Sequence, residues 1–202
     1  MPPPQSPSGP TFGASSPAKV AVRDRLVTQR NRRALADVVA AGSAIAEHLL
    51  AAPEVRRAAT VAAYVSVGRE PGTHELIEAV RGSGRHVILP RLLPDLDLDW
   101  ARHSGDLQRA SRGLLEPTGE SLGREAIATA DVVLVPGLAV DPSGHRLGRG
   151  GGSYDRALGR VPVGTFVCVL LYDDEVLPEV PVEPHDRPVT HVCTPRGLQR
   201  LR

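Results

Sequence analysis

The residues best suited to chemistry lie in LVPGLAVDPSGHRLGRGGGSYDR, residues 134–156. Gly148, Gly150, Gly151 and Gly152 cluster there between Arg146, Arg149 and Arg156. Glycine tolerates positive φ and close backbone approach, so successive N–H groups can converge on an anion while guanidinium groups supply countercharge. A helix starting directly afterwards would add its positive end. Neither standard nucleotide fingerprint fits. A Walker A loop needs Gly-Lys-Ser/Thr, and GxGxxG counted from Gly148 ends on Ser153. What remains is a glycine–arginine loop for an anion, or a surface turn of the kind glycine runs often form. The local residues leave both open.

A second cation stands far from this loop. Lys19 is the single lysine among 24 Lys and Arg residues. A chain that uses arginine wherever either cation serves has reason to keep lysine where a compact ammonium is required, as at a phosphate. The alternative is a solvated charge on a helix face. Arg23 follows four residues later, so the two side chains share one face of a helix.

These groups need a frame. Residues 18–50 read as helical, with Val22, Leu26, Leu35, Val38, Val39, Ile45 and Leu49 near helical spacing; Gly42 and Ser43 weaken the middle, which leaves room for two helices there. Residues 60–67 (TVAAYVSV) have the short, apolar, β-branched character of a buried strand. The loop GREPGT, a helical stretch at 74–81, a Gly-Ser-Gly stop and a strand at 86–89 complete a βαβ unit. Residues 95–100 alternate as an antiparallel strand would, and 132–135 form a strand that breaks at Pro136-Gly137 into the glycine-rich segment. A short helix at 154–160 and a buried strand at 163–171 follow, and the Pro-rich stretch 177–195 is expected to cross the surface. The expected fold is α/β: one domain over 18–202, with helices layered on a largely parallel sheet. Open sheets of this kind bind ligands at the carboxyl ends of their strands, where the glycine loop falls. Tyr64 and Trp100 are read as core aromatics, with a place beside a ligand as the alternative.

Composition narrows the function. In 202 residues, 24 basic and 23 acidic side chains leave a formal charge of +1, without the cationic surplus that nucleic-acid coats and polybasic anchors need. Cys168 and Cys193 have no CxxC or zinc-ligand spacing, which argues against a disulfide scaffold or structural zinc and for a reducing, cytoplasmic setting. The most apolar run, residues 161–172, holds Pro162, Gly164 and Thr165 and is too short to span a bilayer. Residues 1–17 are rich in Pro, Ser and Gly, have no apolar h-region, and read as a disordered tail.

The stretch from Pro136 to Arg156, PGLAVDPSGHRLGRGGGSYDR, resembles the loop of the 5-formyltetrahydrofolate cyclo-ligase (methenyltetrahydrofolate synthetase) family, PGxxFDxxGxRLGxGxGYYDR. Other family elements follow in order: Lys19 and Arg23 opening the first helix, Glu70 and Thr73 after a strand, Gly113, Glu116 and Pro117, and a late His185-Asp186. The resemblance implies ATP-driven closure of 5-formyltetrahydrofolate to 5,10-methenyltetrahydrofolate with Mg²⁺, by a monomer with no nucleic-acid or membrane partner. By position, Lys19, Arg23, Arg146, Leu147, Gly148, Arg149, Gly150, Gly151, Gly152, Ser153 and Tyr154 would hold ATP, with Lys19 and Arg149 as catalytic cations. Val65 and Glu70, with Arg149 to Ser153, would meet the folate. Asp155 and Asp186 would hold Mg²⁺, although Asp155 would equally serve as the N-cap of its helix.

Three positions depart from the pattern: Ser153 replaces the first aromatic of YYD, Val140 replaces phenylalanine, and Pro71-Gly72 follows Glu70. Ser153 favours an alternative, a non-catalytic relative that binds nucleotide or folate. A sugar-phosphate or CoA enzyme using the loop only as an anion site is a third reading.

Overall fold

The computed structural model describes residues 16–201. The tail expected over 1–17 lies outside them for its first fifteen residues; its last two open the fold. Pro17 begins α1 (Pro17–Asn31), and the Ser16 hydroxyl accepts a hydrogen bond from Lys19 N–H at 3.3 Å. That is the ordinary arrangement of a capping serine with proline in the first turn.

α2 (Leu35–Ala51), α3 (Pro53–Arg57) and β1 (Thr60–Ala62) follow. α4 (His74–Gly82) crosses to β2 (His86–Leu92), which pairs with β3 (Leu98–Arg102). A small hairpin of β4 (Leu107–Arg109) and β5 (Leu115–Pro117) precedes β6 (Val132–Pro136). β7 (Ala139–Val140) and β8 (Arg146–Leu147) form a second hairpin, then α5 (Ser153–Leu158), β9 (Phe166–Leu170), β10 (His191–Thr194) and β11 (Gly197–Arg200) complete the chain.

Seven strands form one sheet in the order β11-β10-β9-β6-β1-β2-β3. The five inner strands run parallel, and the two edges are antiparallel. This is the α/β fold expected. Both faces of the inner strands are buried, which is why they read as continuous apolar runs. On one face Val61, Val87, Val132, Leu134 and Cys168 pack with residues of α2, α3 and α4. On the other, Ala62, Ile88, Val133, Val135 and Val167 pack with Trp100, Ile127 and α5. From β1 the chain winds one way through α4 to β2, and from β6 the opposite way through α5 to β9. The sheet therefore reverses direction between β1 and β6.

Two expectations are corrected. The first helical stretch divides at residues 32–34, not at Gly42-Ser43, and α1 and α2 meet at 105°. Tertiary contacts set the break: Arg33 lies 3.9 Å from the Tyr172 ring centroid and pairs with Asp174. Gly42 stays inside α2 because the helix approaches the loop before α4 too closely for a side chain. A Cβ there would stand 2.7 Å from the Gly72 carbonyl oxygen. The Pro-rich stretch does not wholly cross the surface either, since its residues 191–194 become β10, an interior strand that buries Val192 and Cys193. Among the described residues, no single helix is long and apolar enough to cross a membrane.

One surface cluster gives a pH test. Glu78 on α4 accepts hydrogen bonds from Arg81 at 2.6 Å and meets His103 Nε2 at 2.9 Å. Arg81 first, then His103, hold its carboxyl down to about 2. A depressed carboxyl stabilises the fold above its ordinary value and ceases to as pH falls through its folded one. Glu78 is 32% exposed, so the screened contribution is about 1 kcal/mol. Glu78→Gln should lower urea stability by that amount at neutral pH, and the difference should fade between about pH 4.5 and 2.

Candidate active site

The carboxyl ends of β1, β2 and β6 open on a cavity of about 700 Å³, lined among others by Tyr64, Val65, Glu70, Pro90, Leu92, Pro136 and Gly137. It lies where the sheet reverses direction, the place at which open α/β sheets bind ligands. Lys19, Arg23, Arg146, Gly148 to Arg156, His185 and Asp186 also line it, and among them are most of its cations.

The loop is built from a turn upward. Asp141 is buried, and its Oδ1 accepts from Ser143 N–H at 2.9 Å and His145 N–H at 3.0 Å. This folds β7 back on β8 and delivers Arg146. The Arg146 guanidinium is buried, donating to Pro136 O at 3.1 Å and Asp155 Oδ1 at 3.0 Å. It thus ties both ends of the glycine loop together. Gly150 and Gly152 take φ of 98° and 67°, a region that a run of glycines admits and other residues resist.

Two arginines grip the loop's carbonyls: Arg23 Nε donates to Gly148 O at 2.8 Å and Arg156 to Gly151 O at 3.0 Å. Because N–H and C=O oppose each other across a trans peptide, the N–H groups of Arg149 and Gly152 point away from those guanidinium groups. Arg23 lies so near that a Cβ at Gly150 would stand 3.4 Å from its Cζ. The start of α1 and the glycine loop, far apart in sequence, therefore form one surface.

Lys19 is 2% exposed, and its ammonium donates to Glu183 Oε2 at 3.0 Å and Asp186 Oδ2 at 2.5 Å. An ammonium has three donors, so one remains for a ligand. Ser16 N–H at 2.8 Å, then Lys19, hold the Glu183 carboxyl below its ordinary value. Glu183 also donates its own N–H to Asp186 at 2.7 Å, fixing the turn. Sequence reasoning missed Glu183. In a Pro-rich stretch it looks like any solvated acid, and only its spacing to Asp186 hints at a turn.

On the opposite wall Glu70 is 4% exposed; one carboxylate oxygen accepts from Val67 N–H at 3.0 Å and the other meets Arg149 at 3.1 Å. Thr73 steadies that wall by donating to Tyr64 O at 2.8 Å. Val65 lines the cavity beside it. Tyr64 is both a core residue and a cavity residue, and its buried hydroxyl has no hydrogen-bond partner among the described residues. Burial, then the Glu70 charge, pushes that hydroxyl well above its ordinary value. Trp100 is a core residue, fully buried.

Among the residues expected at the site, all but Leu147 line the cavity; Leu147 is buried with Leu26 and Leu138, where it seats α1 against the loop. Ser153 opens α5 and lines the cavity. The N-cap reading of Asp155 is corrected: Gly152 occupies the cap and Asp155 lies inside the first turn, where it pairs with Arg146. Asp155 Oδ1 also accepts from Arg187 N–H at 3.3 Å, which ties it to the segment that carries Asp186. Glu183, His185 and Asp186 bring ligand atoms within 4.8 Å of one another.

The winding of the sheet and the position of this cavity define an open α/β protein with a cavity at its switch point. Comparison with known proteins sharpens that class. Residues 15–195 match the model of the 5-formyltetrahydrofolate cyclo-ligase family. The 5-formyltetrahydrofolate cyclo-ligase of Mycolicibacterium smegmatis is 43% identical over 88% of this chain and 95% of its own. The Escherichia coli K12 enzyme of the same name is 33% identical over 76% of this chain and 87% of its own. Among solved structures, the NMR structure of Aquifex aeolicus 5,10-methenyltetrahydrofolate synthetase superposes with a TM-score of 0.79 at 27% identity, covering 91% of this chain and 93% of that one. The chain belongs to the 5-formyltetrahydrofolate cyclo-ligase family of enzymes.

Proposed function

We propose that this protein uses ATP and Mg²⁺ to close 5-formyltetrahydrofolate into 5,10-methenyltetrahydrofolate, releasing ADP and phosphate. We take it to work in the cytoplasm as a monomer, without nucleic-acid or membrane partners. The observation that carries the reading is the meeting of Lys19 and Arg23 with the glycine loop in the same cavity as Glu70.

The chemistry explains the demand for that arrangement. A formamide oxygen leaves poorly, so the γ-phosphoryl group is first transferred to it. N10 attacks the activated carbon, the oxygen departs with phosphate, and N10 sheds its proton. Such a transfer asks the protein mainly to position reactants and spread charge. Lys19, Arg23 and the loop of Arg146 to Tyr154 would cradle the triphosphate, and Arg149, half-exposed and tied to Glu70, would bridge to the folate. Glu70 would accept pterin N–H groups, with Val65 packing beside them. The donor set suits Mg²⁺, which takes one or two carboxylates and completes its shell with phosphate oxygens and waters. Asp155 and Asp186 are such carboxylates and line the same cavity. When bound, the ion would neutralise phosphate charge.

Purified protein given 5-formyltetrahydrofolate, ATP and Mg²⁺ should build methenylfolate absorbance. Omitting ATP or adding EDTA should abolish it. Folded protein with no product under these conditions overturns the proposal, and calorimetric binding of ATP or folate without turnover would establish the non-catalytic alternative favoured by Ser153.

A further inference from the structure

We infer that Arg112 binds a carboxylate at the glutamyl end of the folate substrate and so sets affinity for that end; the inference rests on the cyclo-ligase reading. Each of the other cavity-lining lysine and arginine side chains already has a partner. Lys19 has Glu183 and Asp186, Arg23 has Gly148 O, Arg146 has Asp155, Arg149 has Glu70, and Arg156 has Leu96 O at 2.7 Å. Arg112 lines the same cavity, and among the described residues its guanidinium makes no hydrogen bond or ion pair.

The backbone presents this residue deliberately. Arg112 sits in the turn between β4 and β5 at φ 58° and ψ 22°, a left-handed conformation that side chains with a Cβ adopt at a cost. The turn is closed by Ala110 N–H to Leu114 O at 2.9 Å. β5 is pinned to β2 through Leu92 N–H donating to Glu116 at 2.9 Å. The cavity that Arg112 and Glu70 both line also carries Pro90, Leu92, Leu98, Leu114 and Leu115, apolar side chains suited to an aromatic ring. Two acids of the same lining are engaged, Glu116 with Leu92 and Asp95 with Arg124 at 2.9 Å. A folate whose pterin meets Glu70 and whose benzoyl ring meets the leucines carries its carboxylates onward, where a free guanidinium forms charge-assisted hydrogen bonds.

The test compares 5-formyltetrahydrofolate with 5-formyltetrahydropteroate, which lacks the glutamate. Arg112→Gly suits the turn, because glycine adopts this φ without strain, and its melting temperature should not fall. With the glutamyl substrate, the variant should raise KM by about tenfold, leaving kcat and the KM for ATP unchanged. Arg112→Lys should recover part of the loss. With the pteroate, wild type and Arg112→Gly should have the same KM. An equal rise for both substrates, or a rise for neither, overturns the inference while the cyclo-ligase reading stands. Wild type inert toward both overturns that reading, and this inference with it.

Discussion

Lys19→Ala should lower ATP-dependent turnover by between about thirtyfold and a thousandfold, the range expected when one fixed donor to developing negative charge is removed. The ammonium is nearly sealed from solvent, lines one cavity with the glycine loop, and among the described residues its side chain has only Glu183 and Asp186 as acceptors, leaving a third donor. The loss should appear in kcat as well as in the KM for ATP, while the KM for folate moves little. Lys19→Arg should rescue poorly, since a planar guanidinium cannot occupy the space of a compact point charge. Stopped assays of ADP release on variants of matched melting temperature decide the matter. A rate within a factor of about two of wild type would reduce Lys19 to a tie between α1 and residues 183–186.

The second large effect is on stability. Arg30 and Glu175 are 3% and 2% exposed, joined by two hydrogen bonds of 2.6 and 2.7 Å, and Arg30 also donates to Gly137 O at 2.7 Å. Arg30→Met leaves a buried carboxylate with its principal partner gone, which typically costs about 3–5 kcal/mol. Urea denaturation should show that loss. The double variant Arg30→Met with Glu175→Leu should regain most of it, because an apolar pair of similar size removes the uncompensated charge. A single-variant loss below about 1 kcal/mol would show that water reaches Glu175 and that the pair is ornamental. The pair matters to the site because Arg30 lies on the same helix as Lys19. It fastens α1 to the chain just beyond β6, and so sets where the ammonium stands.

Much of this molecule is legible in the residues alone. Val132 to Val135 read as a buried strand because a parallel strand covered on both faces is apolar at every position. The glycine–arginine loop and the lone lysine announce themselves by rarity and spacing. Long-range pairing is where reading stops. Nothing local distinguishes Glu175 or Glu183 from solvated acids, since each takes its meaning from a cation more than a hundred residues away. The break between α1 and α2 follows from Arg33 packing on Tyr172, and the persistence of Gly42 in a helix follows from Gly72. β10 hid behind prolines because strand character in four residues is weaker than the composition around them. Arg112 escaped notice because one arginine among many carries no signal until the cavity shows which of them are already engaged.

The pairing of Lys19 with Glu183 and Asp186 has a further consequence. An incoming polyanion meets an ammonium already neutralised by two carboxylates and takes only its third donor, so its arrival is not the quenching of a bare charge. Dissolved ions screen the resident carboxylates and the arriving phosphate alike. Affinity should therefore fall with ionic strength more gently than a tally of the arginines around the cavity would suggest.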